Sequence, residues 1–145
     1  MRRAMLMLLI PALLTPTASH AQSRVRAIAS VKQLHETMIT PASDAVFRAG
    51  GDAPGDAKGW TAAHNQALVL AESANLLMLG MRARDNTEWM RMARALVDAA
   101  AAAVTAADGR NAAALSAAGD RIVASCEACH QTYRDNGRGM RGSGR

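Results

Sequence analysis

The chain has 145 residues, half of them apolar, and a formal net charge of +5; one compact domain is the expectation for that length, in which two would be crowded. Only two tryptophans, one tyrosine and one phenylalanine are present, and the remaining apolar residues are largely alanine, leucine, valine and methionine, a helical composition. The arginines are scattered along the chain instead of being interleaved with aromatics, which argues against a nucleic-acid interface.

In chain order, the first segment reads as a secretory signal (1–21). Arg2 and Arg3 form a positive start, Ala4 to Leu14 an apolar run interrupted by Pro11, and Ser19-His20-Ala21 a small-residue cleavage site. Cleavage after Ala21 leaves a chain beginning at Gln22 with a net charge of about +3, enough for only a mild preference for acidic partners. The apolar run is well short of the roughly 20 residues a membrane-spanning helix needs. The expectation is an exported protein, without a membrane span in its mature form, in a bacterial periplasm.

Helix A is predicted over Arg24 to Ile39, with Ile28, Val31, Leu34, His35, Met38 and Ile39 on one face. Thr40-Pro41 reads as an N-cap and first helical position, predicting a kink and a second helical piece over Ala42 to Ala49. Gly50 to Gly59 is a loop by composition. Helix B carries Trp60, Ala63, Ala67, Ala71, Ala74, Leu77 and Met81 and ends near Arg82 to Arg84. Helix C starts at Thr87-Glu88, buries Trp89, Met92, Leu96, Ala100 and Ala103, and stops at Asp108-Gly109. Asn111 caps helix D, whose stripe is Leu115, Ala118, Ile122, Cys126, Cys129 and Tyr133. Short connections predict an all-α, up-down-up-down antiparallel four-helix bundle over residues 22–134. Residues 135–145, rich in glycine and arginine, read as a flexible basic tail. Alanine stripes bury little area each, so something large is expected to fill the core.

The two cysteines of the chain stand in Cys126-Glu127-Ala128-Cys129-His130. A CxxCH string is the attachment signature of c-type haem: each thiol adds across a vinyl group and the adjacent histidine reaches the iron. Two intervening residues put both sulfurs on one side of a helical turn. A thioredoxin-like redox pair belongs at a helix start after a strand, whereas this motif ends a helix. A structural zinc site needs a fourth ligand with paired spacing.

Placed at the C-terminal end of a four-helix bundle, the string Ser125-Cys126-Glu127-Ala128-Cys129-His130-Gln131-Thr132-Tyr133-Arg134 resembles the class II c-type cytochromes, the cytochrome c prime family and its low-spin six-coordinate relatives. The resemblance implies one haem c, covalently attached through Cys126 and Cys129, with its iron held by His130. It implies a propionate contact for Arg134. Pairing through the first two helices, common in such bundles, makes a homodimer one expectation.

The sixth iron position separates the branches of that family. It is empty in gas-binding members and filled by a methionine of the first helix in low-spin members. Here His35 and Met38 lie one turn apart on the predicted haem-facing stripe, and His35 is favoured over Met38, a departure that lowers the expected redox potential. His64 falls at the opposite end of the bundle. Trp60 and Trp89 read as packing, and Arg82, Arg84, Arg91 and Arg94 as solvated faces, with docking of an acidic partner as their alternative. The functional expectation is a monohaem electron carrier serving redox partner proteins, not an enzyme. The alternative is a five-coordinate protein that binds nitric oxide or carbon monoxide.

Overall fold

The computed structural model describes residues 26–135; the proposed signal segment and the tail from 136 onward lie outside the described residues. Every regular element within that range is helical. A first rod is built from α1 (Val31–Leu34), a π-turn (His35–Ile39) and α2 (Thr40–Gly51). It is followed by α3 (Ala57–Leu77), a 3₁₀ turn (Gly80–Arg82), α4 (Glu88–Asp108), α5 (Ala112–His130) and a closing π-turn (Gln131–Asp135).

Local chemistry sets most of these boundaries. Ser30 starts the first rod with a reciprocal capping box: its hydroxyl accepts the Gln33 N–H at 3.2 Å, and the Gln33 side chain accepts the Ser30 N–H at 2.9 Å. The helix therefore begins later than Arg24, and Ile28, expected on its buried face, is 75 % exposed ahead of the cap. Asp56 caps α3 through the Gly59 N–H at 2.7 Å, and Asn111 caps α5 through the Ala114 N–H at 3.0 Å. Helix α3 ends at Leu77, earlier than its apolar stripe suggested, because Gly80 adopts a left-handed φ of 47°. Met81 consequently leaves the stripe and stands 90 % exposed on the 3₁₀ turn.

No N-cap forms at Thr40. Its backbone is right-handed helical and its N–H donates to the His35 carbonyl, five residues back, so the rod runs on through Pro41. A proline removes one donor from the ladder ahead of it. The wider π-turn lies in that stretch, a substitute for the expected break.

Contacts between the ends of successive helices establish the antiparallel order. The Trp89 indole N–H at the start of α4 donates to the Leu77 carbonyl at the end of α3, at 2.8 Å. His64, early in α3, meets the Asp108 carboxylate at the end of α4 at 3.3 Å. At the end of α2, a Cβ on Gly50 would lie 3.2 Å from the Ser116 backbone at the start of α5. The result is an up-down-up-down four-helix bundle. Its core joins Leu34, Ile39 and Val46 of the first rod to Leu70 and Leu77 of α3, Leu96 of α4, and Leu115 and Ile122 of α5, with alanines filling the seams. Among the described residues, no helix is long and apolar enough to cross a membrane.

Candidate functional site

The antiparallel order gathers the start of the first rod, the end of α3, the start of α4 and the end of α5 at one end of the bundle. Cys126, Cys129 and His130 occupy the last turns of α5 there, all three half-buried. They line a cavity with His35, Leu77, Trp89, Met92, Ala93, Leu96 and Ser125.

The histidine of the first rod faces the histidine of α5. The rings of His35 and His130 have centroids 5.8 Å apart and planes inclined at 43°. His35 Nδ1 lies 2.9 Å from the Val31 carbonyl, and a carbonyl only accepts, so Nδ1 carries a proton, which leaves Nε2 as the nitrogen that can offer a lone pair. A backbone acceptor of this kind commonly orients a metal-bound imidazole. Each histidine adjoins a π-turn: His35 opens one, and His130 immediately precedes the other.

Met38 takes a different position. It is half-buried and packed against the hydrophobic core, but it does not line the cavity with Cys126, Cys129 and His130. Arg134 is exposed on the closing π-turn. His64 belongs to the opposite end with Asp108. Arg82, read from the sequence as solvated, is only 8 % exposed. Its guanidinium donates to the Ala29 carbonyl at 2.9 Å and to the Leu76 carbonyl at 3.3 Å, tying the entry of the first rod to the end of α3. Arg84, Arg91 and Arg94 are exposed.

Burial pushes both thiols up from their ordinary range; for Cys126, the neighbouring Cys129 and Glu127 add to the effect. Both are therefore neutral thiols at pH 7 and poorly suited to thiol–disulfide exchange. Among the described residues, no group of three or more His, Cys, Asp or Glu side chains is arranged to hold a bare metal ion.

A second cluster borders the cavity. Asp85 Oδ1 accepts the backbone N–H groups of Thr87 at 2.9 Å and Trp89 at 3.0 Å, so Asp85, not the Thr87 hydroxyl, caps α4. Its other oxygen, Oδ2, accepts the Tyr133 hydroxyl. The Tyr133 ring meets Trp89 edge to face at 5.0 Å. The bond to Tyr133, with help from the Trp89 N–H, lowers the Asp85 carboxyl to about 2, and the same bond pushes Tyr133 up to about 12. Sequence reasoning assigned Asp85 no role. The available signal was Asp85-Asn86-Thr87 ahead of the helix, a spacing suited to an aspartate turn.

The donor set fits a covalently attached haem: two neutral thiols and an imidazole on successive turns, a second imidazole opposite, and apolar walls of Leu77, Met92, Ala93 and Leu96. The cavity itself encloses about 20 Å³, much less than a porphyrin fills. A porphyrin bound here would require the surrounding side chains to part.

Residues 84–134 match the family model described as Cytochrome C'. No curated protein and no solved structure matches the chain. The match covers α4 and α5, with Cys126, Cys129, His130 and Arg134, and supports a haem-binding c-type cytochrome of that family. It stops short of the first rod, so His35 and Met38 rest on geometry alone.

Proposed function

We propose that the chain is an exported, periplasmic monohaem c-type cytochrome that carries electrons, its haem linked to Cys126 and Cys129 and its iron held between His130 and His35. The observation that carries this reading is the approach of the two imidazoles at 5.8 Å. Two imidazoles this close, one from each of two facing rods, could both serve as ligands of one haem iron. The Val31 carbonyl holds the His35 proton on Nδ1 and keeps Nε2 as the donor atom. Met38 shares neither the cavity nor that orientation.

When bound, the haem supplies a one-electron ferrous–ferric couple. The protein's part is to exclude water and fix the ligands. Leu77, Leu96, Met92 and Trp89 form a low-dielectric wall, and α5 delivers the two thiols and His130 as one rigid unit. Paired histidine ligation favours a lower potential than methionine–histidine ligation. No substrate is turned over, and the exposed Arg84 and Arg94 suit an acidic redox partner. The five-coordinate gas-binding reading needs the side opposite His130 to be bare, and the position of His35 weighs against it.

The visible spectrum of the reduced protein, with and without carbon monoxide, tests the reading. A six-coordinate low-spin spectrum unaffected by the gas is expected. A high-spin spectrum that shifts with carbon monoxide would overturn ligation by His35 and favour the gas-binding alternative.

A further inference from the structure

Tyr133 is the only tyrosine in the chain, and three features set it apart from an ordinary packing residue. Its hydroxyl donates to Asp85 Oδ2. That carboxylate is held in place, because Oδ1 is engaged by two backbone N–H groups of the α4 cap. The ring lies against Trp89, a buried side chain that lines the cavity together with His35, Cys126, Cys129 and His130. Trp60, the other tryptophan, begins α3 at the opposite end of the bundle. Aromatic rings, a phenolic proton and a fixed acceptor thus follow one another outward from the cavity.

We propose that Tyr133 and Asp85 form a proton-coupled redox site beside the cavity, in which Tyr133 gives one electron to a strongly oxidising metal–polypyridyl complex and its phenolic proton to Asp85. The O–H bond of Tyr133 breaks and an O–H bond forms at Asp85 Oδ2, while the oxidant is reduced by one electron. A neutral tyrosyl radical and a neutral carboxylic acid remain.

The chemistry favours this coupling. A phenol oxidised without losing its proton becomes a cation, which is costly in a partly desolvated setting. An ionised carboxylate already hydrogen-bonded to the hydroxyl removes that cost with no reorganisation. At neutral pH Asp85 is ionised and Tyr133 protonated, the states the transfer requires. Contact with Trp89 places the pair where it can return an electron to that ring before an oxidising equivalent there reaches Met92. The redox pair does not rest on the haem reading above.

The test uses the full-length protein and photo-oxidised ruthenium tris-bipyridine as the oxidant, with the tyrosyl radical followed by electron paramagnetic resonance and transient absorption. The wild type should form the radical at a rate independent of phosphate buffer concentration, because the proton acceptor is built in. Tyr133→Phe should give no tyrosyl signal. Asp85→Asn keeps an oxygen that can accept the hydrogen bond but not the proton, and should oxidise Tyr133 at least about tenfold more slowly. Equal rates in the wild type and Asp85→Asn, or a wild-type rate that rises with buffer, would overturn the proposal. The buffer measurement needs no variant, so a poorly folded Asp85→Asn leaves the test decisive. A protein lacking covalent haem would fail the electron-carrier reading and leave this outcome standing.

Discussion

The first rod and α5 meet at both ends of the bundle, and they do so differently. At one end the contact is made of glycine: a Cβ on Gly50 would sit 3.2 Å from the Ser116 backbone, and Gly119 faces the Phe47 ring. At the other end the same two rods oppose imidazoles, His35 against His130. Small residues let the backbones approach and close one end permanently, whereas rings hold the other end apart around side chains with lone pairs. The closed end supplies the anchor, and the ring-lined end can then widen for a large group without loosening the whole bundle.

The largest effect expected from breaking this contrast comes from its chemical end. Replacing Cys126 and Cys129 together with serine should abolish covalent haem, measured as complete extraction of colour into acid acetone. His35→Ala should follow, turning a low-spin ferric spectrum high-spin and creating carbon monoxide binding after reduction, while Met38→Ala leaves both spectra unchanged. Between the two ends, Ile122→Ala removes a fully buried side chain and should cost about 2–5 kcal/mol in urea unfolding.

A subtler effect concerns pH. The folded state lowers Asp85 from 3.8 to about 2, so the stability this contributes is present above pH 4 and is lost as pH falls through about 2. Tyr133 is raised from 10 to about 12, so its share is present below pH 10 and lost as pH rises through about 12. Tyr133→Phe should flatten both edges of the curve of urea midpoint against pH. The smallest effect is at the closed end. Gly119→Ala makes only an ordinary contact at 3.5 Å with Phe47 and should stabilise by about 0.5–1 kcal/mol. Gly50→Ala should forfeit that gain, because backbone atoms of Ser116 would have to move.

Where side-chain pattern and local capping agree, the bundle was legible in the chain alone. The buried faces of α3, α4 and α5 follow the apolar periodicity, and Asn111 and Gly109 mark boundaries as their chemistry dictates. Two misreadings, of Ile28 and Met81, share one cause: a stripe reports which residues are apolar, not where the helix stops. Ile28 and Met81 continue their stripes in sequence, yet Ser30 and Gly80 end the helices before reaching them. Arg82 was misread because its partners, two backbone carbonyls, leave no trace in side-chain chemistry.

The same distinction applies to the site. The CxxCH motif is local and was readable at once. Which of His35 and Met38 lines the cavity was not legible from an ideal helix, in which residues three apart share a face. A π-turn over these five residues changes that phase, and its widened hydrogen bonding is a backbone property that amino-acid identity announces only through Pro41.

That turn has a further consequence, for the tolerance of the chain to insertion and deletion. Each residue of an α-helix advances the azimuth of the next by about 100°. A five-residue π-turn covers about the azimuth of a four-residue α-turn, so deleting one residue between His35 and Thr40 would restore a regular α-helix with His35 and the residues before it at nearly the same angle relative to Ala42 and Val46. Deleting one residue between Ala42 and Val46, where no wider turn absorbs the change, would swing the His35 ring by about 100° relative to Gly50 and away from its station opposite α5. The wide turn is the place in this rod where the count of residues can change at least cost.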